Sequence, residues 1–191
     1  MLFVANEVGE GFYRIDQGLL KVSMLSRAGG ERILAILGSG SMIGELSVLG
    51  GSPRSATVSA VRDSELSFVS RAHFETVAIE YPEIYKHLVT LLAERLLSTN
   101  AMVAATSFLS LKGQVARALL DLAAAFGQDT GDGRILIRQK ITQSEIAAMA
   151  GIARENVSRI LNDWTRRKMV SRLAGYYCLE QGKALEREAG L

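Results

Sequence analysis

The sequence predicts an α+β chain in which a small antiparallel β-barrel or sandwich is followed by a long helix and then a helix-turn-helix with a two-stranded wing. Three observations carry this reading. The first 70 residues are brief apolar runs divided by glycine-rich turns. Residues 83 to about 109 form a helix-favouring run without glycine or proline. Between 141 and 162 lie a capped helix, a glycine and a second amphipathic helix.

In chain order, residues 12–15, 19–25, 32–37, 57–61 and 66–70 suit strands. The turns between them are Asp16-Gln17-Gly18, Ala28-Gly29-Gly30, Gly38-Ser39-Gly40-Ser41 and Gly50-Gly51-Ser52-Pro53. Their spacing is too irregular for a solenoid. Helix formers begin at Arg71 and break at Tyr81-Pro82. In the long run that follows, Leu92, Leu96, Thr99, Val103 and Thr106 fall at spacings of 4, 3, 4 and 3, the heptad seam of a two-helix coiled coil. Leu88, Leu91, Leu97, Met102 and Phe108 lie off that seam and are expected to pack against the barrel.

Residues 113–126 form an amphipathic helix ended by Gly127 and a polar turn, and 134–138 alternate like a strand. Thr142 is an N-cap, and Glu145 three residues later completes a capping box. Gly151 permits the left-handed backbone of a tight turn between helices, and small Ala147 allows a close crossing. Ile152, Val157, Ile160 and Leu161 give the second helix its apolar side, which leaves Arg154, Glu155, Ser158 and Arg159 opposite. Strands at 171–173 and 176–179, joined at Ala174-Gly175, make the wing.

Charge agrees with this division. Net charge is only +2, but residues 134–172 hold nine Lys and Arg against three Asp and Glu, the local excess a phosphate-facing surface needs. Arginine can give paired hydrogen bonds to guanine, and a glutamate accepts from cytosine or adenine amines, so Arg154, Glu155 and Arg159 can read a mixed major-groove sequence. Thr142, Gln143 and Ser144 are placed for phosphate contact. In the barrel, Gly44, Glu45 and Leu46 followed by Arg54 and Ser55 suit one sugar and one phosphodiester: a carboxylate for a ribose hydroxyl, a guanidinium fork and a hydroxyl for the phosphate. From the residues alone, Arg54 and Glu45 are equally read as a salt bridge over a glycine-rich loop.

The chain resembles the Crp/Fnr family of bacterial transcription regulators, on the catabolite-activator side, from about Asn6 to Leu179. The resemblance rests on GEL at 44–46 with RSA at 54–56, and on ITQSEIAAMAGIARENVSRIL at 141–161. It implies a cyclic-nucleotide-binding β-roll at 1–82, a dimerisation helix at 83–110 and a winged helix-turn-helix DNA-binding domain at 111–191. It further implies that Glu45 holds the ribose 2′-hydroxyl of cAMP, Arg54 and Ser55 the cyclic phosphate, Thr99 the adenine amine, and Asn100 the nucleotide bound in the partner subunit. Half-sites resembling TGTGA, a homodimer and RNA polymerase as a partner follow from the same resemblance. Alternatives are the same DNA-binding role under cGMP, another effector or none, and a nucleotide-binding module that regulates a partner protein. The family's first strands are missing from the sequence, which implies an upstream segment or a roll open at one edge.

Several classes are set aside. Cys178 is the only cysteine, so a disulfide framework, a multi-cysteine zinc site or an iron–sulfur cluster within one chain is not expected, and a reducing cytoplasmic setting is. His73 and His87 match no haem position of the family. No unbroken apolar run approaches a membrane span, and no signal sequence or membrane partner is expected. A nucleophile with a nearby base, a metal cluster or paired carboxylates at useful spacing, the marks of an enzyme, do not stand out.

Overall fold

The computed structural model describes residues 1–27 and 29–190, in two compact units, residues 1–98 and 99–191. Ala28, read above as part of a turn, and Leu191, the end of the third segment, lie outside the described residues.

The first unit is a β-roll. Strand β1 (Gly11–Leu25) pairs antiparallel with β2 (Glu31–Gly38) and with the two-residue β3 (Met42–Ile43) along one edge, and with β4 (Thr57–Ser70) along the other. A short helix, α1 (Glu45–Gly50), lies between β3 and β4. The Asp16-Gln17-Gly18 turn is not a turn. The strands expected on either side of it are one 15-residue strand with a bulge, and β4 likewise joins the two expected at 57–61 and 66–70. The physical cause is cross-strand capture. The Asp16 carboxylate accepts from Ser67 Oγ and from Arg14 Nε, which hold it below the usual carboxylate range, Ser67 most strongly. Leu19 N donates to Ser64 Oγ at 3.1 Å, and Gly18, at φ 107°, sits so close to Ser64 that a β-carbon there would lie 2.1 Å from its Oγ.

At the start of the chain, Phe3 bridges Val58, Asn6 N donates to Arg54 O at 2.8 Å, and Arg54 N donates to Glu7 O at 2.8 Å. The segment therefore runs along the entry to β4 and covers that stretch of its edge. Phe3, Ile15, Leu20, Ile43 and Val58 form one core. Phe12, Val48, Phe74, Ala78 and Leu88 form a second, which fastens α1, α2 (Arg71–Glu80) and α3 (Ile84–Phe108) to β1.

Of the off-seam apolar set on α3, Leu88 enters this core and Leu91 is half-buried, but Leu97 and Phe108 stand exposed, which corrects the expectation that the whole set packs against the barrel. A 25-residue helix is about 37 Å long, and the apolar cluster of the roll meets it only near Ile84 and Leu88. By length and composition α3 also meets the requirement for crossing a membrane. No unbroken apolar run reveals this, because Thr90, Ser98, Thr99, Thr106 and the charged pair Glu94-Arg95 interrupt it. Burial of Leu88 in the roll and pairing of Arg95 with Glu45 set the first half of α3 against protein.

The second unit packs α4 (Leu111–Phe126), α5 (Gln143–Ala150), α6 (Arg154–Arg166) and α7 (Gly182–Glu188) with a sheet ordered β5 (Gly127–Asp129), β6 (Ile135–Ile137), β8 (Tyr176–Leu179) and β7 (Val170–Leu173). The polar turn after α4 begins one strand later than its sequence implies, because Gly127–Asp129 pairs with Ile135–Ile137. The core includes Leu119, Ile137, Ile146, Val157, Trp164 and Leu185, each essentially inaccessible to solvent.

Replacing Gly18 with alanine puts a β-carbon into Ser64 at a positive φ. The variant should lose about 2 kcal/mol of unfolding free energy in a urea titration, while Gly29→Ala, with open space around it, should lose less.

Candidate functional site

Two groups of side chains carry chemistry, one in each unit. In the roll, Gly44 adopts φ 88° at the start of α1, and its carbonyl accepts from Arg54 Nη1 at 2.8 Å. A side chain at Gly44 would meet that Nη1 at 2.3 Å, so the close approach requires glycine. Arg54 is only 5% exposed, its guanidinium carbon lies 4.2 Å from the centre of the Phe3 ring, and it makes no ion pair among the described residues.

Glu45 is 1% exposed, and its partner is not Arg54. One carboxylate oxygen, Oε1, pairs with Arg95 Nη1, and Arg95 Nη2 donates to the Met42 carbonyl. The other oxygen, Oε2, is buried with no hydrogen-bond partner among the described residues. The reading of Glu45 and Arg54 as a mutual salt bridge is therefore excluded. Arg95 was not singled out by its sequence pattern. Its signal is a charged pair, Glu94-Arg95, inside the otherwise apolar run Leu91 to Leu97.

Leu46 and Ser55 flank the buried pair and are exposed. Thr99 and Asn100 are exposed on α3, at the head of the second unit.

In the second unit the capping box is formed. Glu145 N donates to Thr142 Oγ1 at 3.1 Å, and Thr142 N and Oγ1 donate to Glu145 Oε2 at 2.7 and 2.8 Å. The Thr142 hydroxyl proton is thus committed to Glu145, which leaves Gln143 and Ser144 as the side-chain donors of that turn outside the box. Helix α5 closes at Gly151, and Gly151 N and Ile152 N both donate to Ala147 O, at 2.7 and 3.2 Å.

Helix α6 is strongly two-faced. Val157, Ile160, Leu161 and Trp164 are buried, while Arg154, Glu155 and Arg159 are exposed and Ser158 is half-buried beside them. Arg159 Nη2 donates to Asn156 Oδ1, a support that its sequence pattern did not reveal. All nine cations of the 134–172 segment are exposed. At the wing, the Arg172 guanidinium carbon lies over the Tyr177 ring at 5.2 Å and Lys140 Nζ over the Tyr176 ring at 5.4 Å. Cys178 is buried, and burial first, then Glu180, pushes its thiol above the ordinary range, so it is a core residue and not a reactive one. Among the described residues no group of three or more His, Cys, Asp and Glu could hold a metal ion.

Residues 1–81 match the cyclic nucleotide-binding domain, and residues 113–188 match the Crp-like helix-turn-helix domain. The chain is 33% identical over 174 residues to a protein of Mycobacterium tuberculosis, described as a CRP-like cAMP-activated global transcriptional regulator, covering 91% of this chain and 77% of that one. It is 34% identical over 161 residues to the cyclic AMP receptor protein of Thermus thermophilus, covering 84% and 71%. The crystal structure of a CRP-family transcriptional regulator from the same organism aligns over 100% of this chain and 93% of its own, with a TM-score of 0.82 at 25% identity. A cyclic-nucleotide roll joined to a winged helix-turn-helix defines an effector-controlled, DNA-binding regulator and not an enzyme. The chain belongs to the Crp/Fnr family of transcription regulators.

Removing the Arg95 guanidinium leaves a carboxylate buried without its cation. Arg95→Leu should cost about 2 kcal/mol in chemical unfolding, below the value for a fully buried pair because Arg95 is partly exposed. Adding Glu45→Gln to that variant should restore part of the loss. Cys178 should react with iodoacetamide in the folded protein at least about tenfold more slowly than after unfolding in urea, because burial both shields the thiol and keeps it protonated.

Proposed function

We propose that the chain is a cAMP-responsive homodimeric regulator that binds palindromic sites with TGTGA-like half-sites. The observation that carries this reading is the pair of unmet demands in the roll: a buried guanidinium with no counter-ion, and a buried carboxylate oxygen with no donor, among the described residues. A buried charge or polar atom is costly until it is paired. One ribose hydroxyl and one cyclic phosphate meet both demands.

In this reading Glu45 Oε2 accepts from the ribose 2′-hydroxyl, with Arg95 holding Oε1. Gly44 and Leu46 bracket the carboxylate, and Arg54 and Ser55 receive the phosphate. Thr99 takes the adenine amine and Asn100 reaches the nucleotide held by the partner subunit. The exposed seam of α3, with Leu96 at 61% and Val103 at 60% exposure, is what a second copy covers. Nucleotide that binds one arrangement of the dimer more tightly than the other shifts the population toward it, and the two recognition helices then meet half-sites about 34 Å apart.

At the DNA, Arg154, Glu155 and Arg159 read base edges with Ser158 beside them. Gln143 and Ser144 hold phosphate, and Thr142 contributes by fixing the helix end. RNA polymerase is the partner and the cytoplasm the setting. The names of the relatives, one a cAMP-activated regulator and one a cyclic AMP receptor protein, support this effector and role.

Fluorescence anisotropy with a labelled TGTGA palindrome tests the switch. Saturating cAMP should tighten binding at least about tenfold, and Arg54→Ala should abolish the response while keeping the affinity seen without nucleotide. Equal affinity with and without cAMP would sink the switch, and a larger effect of cGMP would reassign the effector. Arg159→Ala should weaken the specific site by about 2 kcal/mol and relax its base preference.

A further inference from the structure

We propose that Phe3 is a positioning residue of the nucleotide site, its ring holding the Arg54 guanidinium in the orientation that receives the cyclic phosphate. The inference rests on the phosphate role given to Arg54 above. The guanidinium carbon lies 4.2 Å from the ring centre, within the range of a cation–π contact.

The ring and an anion do not compete. A ring held over the guanidinium carbon is attracted by the cation's charge, whereas the N–H donors point outward in the guanidinium plane. One of them, on Nη1, donates to the Gly44 carbonyl at 2.8 Å. The rest of the fork remains for an anion.

Phe3 is itself fixed. It is 8% exposed, its backbone bridges Val58, and its ring is stacked on Tyr13 with centroids 6.3 Å apart and planes at 27°. The backbone bonds between Asn6, Glu7 and Arg54 zip the same segment to the residue whose side chain the ring covers. A long, flexible side chain fixed before the ligand arrives loses less freedom on binding. A leucine would fill much of the same space, but only an aromatic face attracts a cation.

Full-length protein is titrated with cAMP by calorimetry as the parent, as Phe3→Leu and as Phe3→Tyr. Phe3→Leu should weaken cAMP about fivefold, and Phe3→Tyr should stay within about twofold of the parent. In ligand-free protein the Arg54 Nε–H proton resonance, shifted upfield by the ring, should keep that shift in Phe3→Tyr and lose it in Phe3→Leu. That resonance reports only that the ring lies against the guanidinium. The positioning role is read from cAMP affinity, which Phe3→Tyr keeps and Phe3→Leu loses at parent-like stability in a urea titration, a split that a merely structural role would not give. Equal loss in both variants overturns the proposal, since the defect then follows packing and not the ring. Parent-like cAMP binding in Phe3→Leu overturns it as well. A parent that binds no cAMP instead overturns the phosphate reading of Arg54, a result distinct from the other two.

Discussion

A carboxylate with 1% exposure must find a cation, and in this roll Glu45 finds Arg95. That pairing sets much of the first unit. It draws the first half of α3 onto the roll, uses the Met42 carbonyl at the end of β3 as its second anchor, and keeps Arg54 from becoming the carboxylate's partner. The two arginines of the site consequently have different duties. Arg95 neutralises charge within the folded chain, while Arg54 is buried with a carbonyl and an aromatic face as its contacts and retains a demand for an anion. Burial of two opposite charges that do not neutralise each other is the feature on which the proposed nucleotide site rests.

In the second unit the same principle operates without buried charge. The capping box turns the Thr142 hydroxyl proton onto the Glu145 carboxylate, so the start of α5 is fixed and that hydroxyl is not a donor to anything else. Helix α6, whose N-cap Ala153 has no side chain able to cap, is held by the burial of Val157, Ile160, Leu161 and Trp164 instead. Toward its end the exposed Thr165 donates to the Leu161 carbonyl and Arg166 pairs with Asp163, and nearer its start Arg159 donates to Asn156. The base-reading role proposed above falls on the exposed residues of that first part.

What was legible in the sequence is what local rules determine. The capping box, the glycine after α5, the wing turn at Ala174-Gly175 and the break at Tyr81-Pro82 all depend on residues within a few positions of one another. The roll was legible as a class and less so in its parts. Asp16-Gln17-Gly18 has turn composition, but Ser64 and Ser67, 45 and 51 positions from their partners, convert it into a bulge inside one long strand. Glu45 and Arg54 stood out in the sequence because their spacing matches a family motif, although the residues alone left a mutual salt bridge open. Their actual neighbours, Arg95 and Phe3, were not, because a partner brought in by tertiary packing leaves no periodic trace in sequence. The reach of the roll along α3 failed for the same reason: periodicity shows that Leu88 and Leu97 are off the seam, not that only Leu88 meets an apolar cluster.

The pairing of β1 with β4 joins Gly11 to Ser70 at one end and Ser23 to Thr57 at the other. Each such contact closes a long loop before it gains anything, a cost that grows with sequence separation. The second unit combines two close hairpins, β5–β6 and β7–β8, with one longer strand pairing that joins Ile135 to Leu179. Contact order therefore makes the roll the slower of the two to fold, although it leaves the ribosome first. For that interval β1 has its hairpin partner β2, while the edge that later pairs with β4 stands unpaired, an exposed strand edge of the kind prone to wrong pairing.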